Sequence, residues 1–145
     1  MRFTGQYNHS LDTKGRVIIP SGFREKLGDR FMVARGMEKC ITVYSMEAWE
    51  RLEEKVSEMS QLNEATRKFS RIFFATAGEV ETDKQGRILI PAHLRKYAGI
   101  DKECVVTGNL DKVEIWSPEK WAEQMGEEDD LAAYAAQLDG MGVRL

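Results

Sequence analysis

The feature that most constrains the fold is a nine-residue stretch that occurs twice. Asp12-Thr13-Lys14-Gly15-Arg16-Val17-Ile18-Ile19-Pro20 returns as Asp83-Lys84-Gln85-Gly86-Arg87-Ile88-Leu89-Ile90-Pro91. The correspondence runs well beyond the motif. At an offset of 71, Arg24 matches Arg95 and Gly28 matches Gly99; one inserted residue then moves the offset to 72, where Gly36 matches Gly108, Tyr44 matches Trp116, Ser45 matches Ser117 and Trp49 matches Trp121. Register kept over this length marks an internal duplication. Half-domains of about 45 residues bury too little surface to stand alone, so the two copies are expected to share one core within the 145 residues.

Within each copy an Asp opens a tight turn, a Gly closes it, and an Arg leads into an apolar run that stops at Pro. Asp accepts hydrogen bonds from backbone amides two residues on, and Gly supplies the positive φ that a tight reversal needs. Asp12, Gly15, Asp83 and Gly86 are therefore the turn-shaping residues. Lys14 and Arg16, and Lys84 and Arg87, flank the turns as donors, a device suited to binding an anion. The unbroken Val-Ile-Ile and Ile-Leu-Ile runs predict strands buried on both faces.

The net charge of −3 and a pI near 5.5 do not by themselves point to nucleic acid. Their distribution matters more. Residues 1–40 carry 8 Lys and Arg against 4 Asp and Glu, and residues 67–102 repeat that ratio; residues 41–66 carry 2 against 6, and residues 103–145 carry 3 against 10. Each motif segment is basic, so a mildly acidic protein can still present a basic face.

Tyr7 to Leu11 and Arg16 to Ile19 read as strands around the first turn, followed by a two-turn helix with Ser21 as its N-cap, Phe23 and Leu27 on one face, and Gly28 ending it in the left-handed conformation. Phe31 to Ala34 and Cys40 to Tyr44 read as a hairpin containing Gly36. Ser45 opens an acidic amphipathic helix with Trp49, Leu52, Val56 and Met59 on its apolar face. After a polar break at Ser60 to Asn63, Arg67, Lys68, Phe69, Arg71, Ile72 and Phe73 suggest a second helix ending by Gly78. The second copy repeats the plan, with Glu79 to Thr82 and Arg87 to Ile90 as strands, a short helix from Pro91, and Ser117-Pro118 as a strong helix start. Leu131 to Leu138 predicts a last Ala-rich helix. The expected organisation is a first repeat at 5–47, a helical linker at 48–77, a second repeat at 76–119 and an acidic helical tail at 120–145.

His9-Ser10-Leu11-Asp12 contains the residue types of a hydrolase triad, yet adjacent residues on a strand point to opposite faces, so His9 cannot serve Ser10. His93 stands alone. Cys40 and Cys104 lack metal-site or disulfide spacing and read as reduced core residues. Neither catalysis, a metal, a cofactor nor a small-molecule substrate is expected. The N-terminus has no apolar signal segment, and no run of about 18 apolar residues occurs, which predicts a cytoplasmic protein without a membrane partner. Trp49 and Trp121 read as packing anchors rather than base-stacking platforms. The motif turns make the better case: Arg offers a planar fork of donors for phosphate oxygens or for guanine O6 and N7, and an Arg pinned by its own Asp is preorganised.

The pattern Asp-x-x-Gly-Arg, three apolar residues, Pro, then a short helix with Arg24 or Arg95 and a Gly resembles the AbrB-like DNA-binding half-barrel. The duplication, the opening Gly5-Gln6-Tyr7-Asn8-His9-Ser10-Leu11-Asp12-Thr13-Lys14-Gly15-Arg16, and Phe73-Phe74 before the second copy resemble the bacterial MraZ family over most of residues 1–125. The resemblance implies an α+β, β-rich fold: an AbrB-like swapped-hairpin, double-psi-like β-barrel formed by two internal repeats, with flanking helices. In such barrels half-barrels from separate chains exchange hairpins; here Asp12 to Tyr44 and Asp83 to Trp116 would do so within one chain. It further implies a nucleoid-associated transcriptional regulator of a division and cell-wall gene cluster that binds double-stranded DNA and assembles into homo-oligomeric rings. Its DNA-binding residues would be Lys14, Arg16, Arg24, Lys84, Arg87 and Arg95. Because the first copy has Lys14 where the second has Gln85, with its lysine at Lys84, the two turns are not expected to contact DNA identically. From the shape of a ring, direct repeats are expected as the target. The alternative is an assembly scaffold that binds protein partners through the acidic helices at Ser45 to Met59 and Ser117 to Glu128.

Overall fold

The computed structural model describes residues 2–144. The first copy forms β1 (Gln6–Ser10), β2 (Arg16–Ile18), α1 (Ser21–Leu27), β3 (Arg30–Arg35), a short 3-10 turn at Met37–Lys39, β4 (Ile41–Ser45) and α2 (Met46–Ser57). After α3 (Glu64–Thr76) the second copy repeats the order with β5 (Gly78–Glu81), β6 (Arg87–Leu89), α4 (Ala92–Ala98), β7 (Glu103–Asn109), β8 (Lys112–Trp116) and α5 (Pro118–Met125). A last helix, α6 (Asp130–Gly140), follows.

Six strands make one antiparallel sheet in the order β1-β7-β8-β4-β3-β5, while β2 and β6 pair with each other as a separate two-stranded ribbon. The copies exchange strands. The first copy's β1 pairs with the second copy's β7, with His9 opposite Cys104; the second copy's β5 pairs with the first copy's β3, with Val80 opposite Phe31. At the centre β4 pairs with β8, Val43 opposite Val113. The expected intrachain exchange is thus an α+β arrangement of interleaved repeats, in which the strand ladders form a sheet and a ribbon rather than one continuous ring. Matching side chains from both copies, including Phe23 and Leu94, Ile19 and Ile90, and Val43 and Ile115, fill one core. Neither copy could bury its apolar strands alone.

The ribbon corrects one expectation. Val17 and Ile88, directly opposite each other, are each 1% exposed, but Ile18 is 43% and Leu89 56% exposed. A strand alternates faces, and the ribbon has the core on one side only, so the middle residue of each apolar run points outward.

The helix ends differ in detail as well. Ser21 is the first residue of α1 rather than its cap: Pro20 takes the cap position with no side-chain hydrogen bond. Gly28 has φ 85° but ψ −173°, outside the left-handed helical region, whereas Gly99 adopts it at φ 67°, ψ 29°. Ser45 and Ser117 cap α2 and α5 as expected, each hydroxyl accepting from the amide three residues on at 3.1 Å. Met59 lies beyond the end of α2 and is exposed. On the sheet face away from the main core, Trp49 of α2 stacks against Phe73 of α3 at 5.4 Å between ring centroids, and Phe73 stacks on Phe69 at 5.1 Å. This aromatic cluster fastens the linker helices to Ala34 and Tyr44 of the sheet.

Candidate nucleic-acid interface

Each motif turn is organised by its Asp. The amides of Lys14 and Arg16 donate to Asp12 Oδ1, both at 2.9 Å, and Arg16 Nε donates to Asp12 Oδ2 at 2.6 Å. The second turn reproduces the pattern. The amides of Gln85 and Arg87 donate to Asp83 Oδ1 at 2.9 Å, and Arg87 Nε donates to Oδ2 at 2.8 Å. Two main-chain bonds close each loop, Gly15 N to Asp12 O and Asp12 N to Arg16 O at 3.0 Å in the first, and their equivalents in the second. A carboxylate that accepts amide hydrogen bonds is stabilised in its charged form. The Arg16 amide, followed by the Arg16 side chain and the Lys14 amide, lowers the Asp12 carboxyl from its ordinary 3.8 to about 2 against an opposing effect of burial. Asp83 is lowered by the same set of contacts, the Arg87 amide first.

Ribbon pairing then brings the two turns' arginines onto one face. Arg16 lies opposite Leu89 and Arg87 opposite Ile18, and Arg87 Nη1 lies 3.7 Å from Asp12 Oδ2, so the two Asp–Arg pairs meet across the ribbon. About a quarter to a third of each Arg side chain reaches solvent. Each guanidinium uses its Nε on its own carboxylate, and among the described residues the terminal nitrogens make no hydrogen bond, which leaves donors of the planar fork unused. Lys14 and Lys84 are exposed beside them.

The expected partners Arg24 and Arg95 have a different place. They are half-buried, and each supports the turn of the opposite copy: the Arg24 guanidinium packs on Gly86, and that of Arg95 packs on Gly15, where a Cβ would stand 2.7 Å from Arg95 Cζ. Both Nε atoms are buried without a hydrogen-bond partner among the described residues. The helix of one repeat thereby sets the turn of the other. Including Arg24 and Arg95, the face gathers six basic side chains around two carboxylates, which gives an acidic protein a locally cationic surface.

Among the described residues, nothing comparable collects elsewhere. His9 and Ser10 are not partnered: the Ser10 hydroxyl donates to Glu103 at 2.9 Å. Cys40 and Cys104 are buried and free, with burial pushing each thiol up to about 12. Among the described residues, no group of three or more His, Cys, Asp or Glu is placed to hold a metal ion, and no helix is long and apolar enough to cross a membrane. The outward Ile18 and Leu89 are the residues of this face that the sequence reading missed. The two-residue alternation of a strand was the available signal.

A family model described as "MraZ protein, putative antitoxin-like" matches the chain twice, over residues 2–72 and 73–141. Among curated relatives, a protein of Clostridium acetobutylicum is 46% identical over 141 residues, covering 97% of this chain and 99% of its own. One of Acetivibrio thermocellus is 47% identical over 139 residues, covering 96% and 97%, and one of Clostridium tetani is 45% identical over 141 residues, covering 97% and 99%. All three are named "Transcriptional regulator MraZ". With two interleaved copies of one motif and similarity over nearly its whole length, the chain belongs to the MraZ family.

Proposed function

We propose that this protein is a sequence-specific DNA-binding transcription regulator that reads double-stranded DNA with the outer face of the β2-β6 ribbon. The observation that carries the reading is the pair of Asp-anchored arginines, Arg16 and Arg87, set side by side on a rigid cationic face. Anchoring matters because an Arg already fixed by its Asp loses little rotamer freedom when it meets a phosphate or a guanine edge. Arg16 and Arg87 are the reading residues, Lys14 and Lys84 the flanking phosphate contacts, and Arg24 and Arg95 act from beneath by holding the opposite turns. The names of the relatives support regulation of transcription. The reading extends to a cytoplasmic, nucleoid-associated protein whose copies form a ring on direct repeats upstream of a division and cell-wall gene cluster. One ribbon offers few contacts, and joining several raises effective concentration and so avidity.

Fluorescence-anisotropy titration of labelled DNA from upstream of the protein's own gene, repeated across salt, tests this. Arg16→Ala and Arg87→Ala are each expected to remain folded by circular dichroism. Each weakens binding by about 1–3 kcal/mol if it loses a base-edge pair, or lowers the salt slope by about one if it loses a phosphate contact. Full affinity in both variants at moderate salt would exclude the ribbon as the reading surface. Inserting about 5 bp between neighbouring repeats rotates one to the opposite face of the duplex, and undiminished affinity there would exclude the ring-on-repeats arrangement.

A further inference from the structure

The outer face of the ribbon is not purely cationic. Ile18 and Leu89 are 43% and 56% exposed in the middle of it, while their inward neighbours Val17 and Ile88 are sealed in the core. The register sets Leu89 directly opposite Arg16 and Ile18 directly opposite Arg87, so the face is a checkerboard of two arginines and two aliphatic side chains. Holding phosphates requires only the cations. A β-branched Ile and a Leu standing among Arg and Lys need another explanation, because they leave apolar surface in water where a Thr would suit a strand face and stay polar.

On the reading that this face binds DNA, we propose that Ile18 and Leu89 are specificity determinants, each packing on the C5-methyl group of a thymine close to a base read by the neighbouring arginine. The major groove admits a two-stranded ribbon, and among base edges only thymine offers a methyl group there. Directly opposed residues on paired strands stand about 4.5–5.5 Å apart, and successive bases rise about 3.4 Å. An arginine and its aliphatic partner therefore reach the same or adjacent base pairs. Because the duplication relates Arg16 to Arg87 and Ile18 to Leu89, the ribbon carries two such reading pairs that differ in aliphatic shape: Ile18 is branched at Cβ and Leu89 at Cγ. A second copy of the protein is a poor occupant of this face. Two ribbons laid face to face would bring Arg16, Arg87, Lys14 and Lys84 of each against those of the other.

The test uses the full-length protein and a randomised pool of DNA duplexes, from which bound sequences are enriched. The enriched duplex is then remade with deoxyuridine replacing thymidine at one position at a time, a change that deletes the C5-methyl group and leaves the protein untouched. Wild-type affinity is expected to fall about fourfold at each contacted methyl, the equivalent of one buried methylene. Ile18→Ala and Leu89→Ala are expected to bind the thymidine duplex more weakly, to be indifferent to deoxyuridine at their own positions, and to keep the wild-type salt slope. Two results would overturn the assignment while leaving DNA binding intact: wild-type indifference to deoxyuridine everywhere, or variants that still discriminate against it. Failure of the pool to enrich any sequence would overturn the sequence-specific reading itself, and the assignment with it.

Discussion

Replacing Gly15 by Ala probes whether one repeat's helix holds the other's turn. Gly15 has φ 84°, where a Cβ costs roughly 1–2 kcal/mol. The new methyl also meets the Arg95 guanidinium at 2.7 Å from Cζ and 2.8 Å from Nη1, where ordinary contact begins at 3.4 Å. The Arg95 tip must retreat, and turning one side-chain torsion about 30° off its minimum costs about 0.5–1.5 kcal/mol. The sum is about 1.5–3.5 kcal/mol; at about 2–4 °C per kcal/mol for a chain of this size, Tm should fall by about 3–14 °C at fixed protein concentration. A double-mutant cycle with Arg95→Ala separates the two parts. Without the guanidinium, Gly15→Ala should cost only its backbone share, leaving a coupling of about 0.5–1.5 kcal/mol. A coupling inside the roughly 0.3–0.5 kcal/mol scatter of independent sites would refute the claim that Arg95 is packed on the turn.

Other outcomes follow from the same structure. Asp12, lowered to about 2, adds stability above pH 3.8 that is lost as pH falls through about 2; a carboxyl NMR titration should place its midpoint near 2, and a midpoint at 3.8 would contradict the turn geometry. Cys40 and Cys104, buried and pushed up to about 12, should resist Ellman's reagent at pH 8 until denaturant is added, and immediate labelling would show that these strands open. Trp49→Ala should cost about 3–5 kcal/mol in urea unfolding, because it empties the centre of the aromatic cluster, and a cost under about 1 kcal/mol would show the linker helices to be loosely attached.

The parts of the fold that were readable in advance are those decided within a few residues. Asp12 and Gly15 state their turn outright, since an Asp that bonds nearby amides and a Gly at positive φ form a local arrangement. Ser45 and Ser117 state their helix starts for the same reason. Ile18 and Leu89 were misread because a three-residue apolar run looks the same whether both faces are buried or only one; the answer lies in the ribbon's position against the core, not in the run. Arg24 and Arg95 matched each other across the duplication, which marked them as equivalent but could not show that each serves the other copy's turn. That crossing follows from strand exchange, a property of the whole chain. Pro20 takes the cap position at φ −49°, close to the value its ring fixes, so the helix begins at Ser21, one residue earlier than a Ser21 cap implies.

The strand exchange also governs how the protein comes into being on the ribosome. With His9 paired to Cys104 and Ile41 to Ile115, β1 and β4 cannot complete their pairings until β7 and β8 have been made. About 70 residues separate the end of β4 from the end of β8; at about 5–20 residues per second, apolar strands of the first copy wait roughly 4–14 s for partners. Contacts this distant in sequence also close slowly. The duplication that supplies two matched turns thus leaves apolar strands of the first copy without partners during synthesis, and a chain terminated before β7 would lack the strands that complete its sheet.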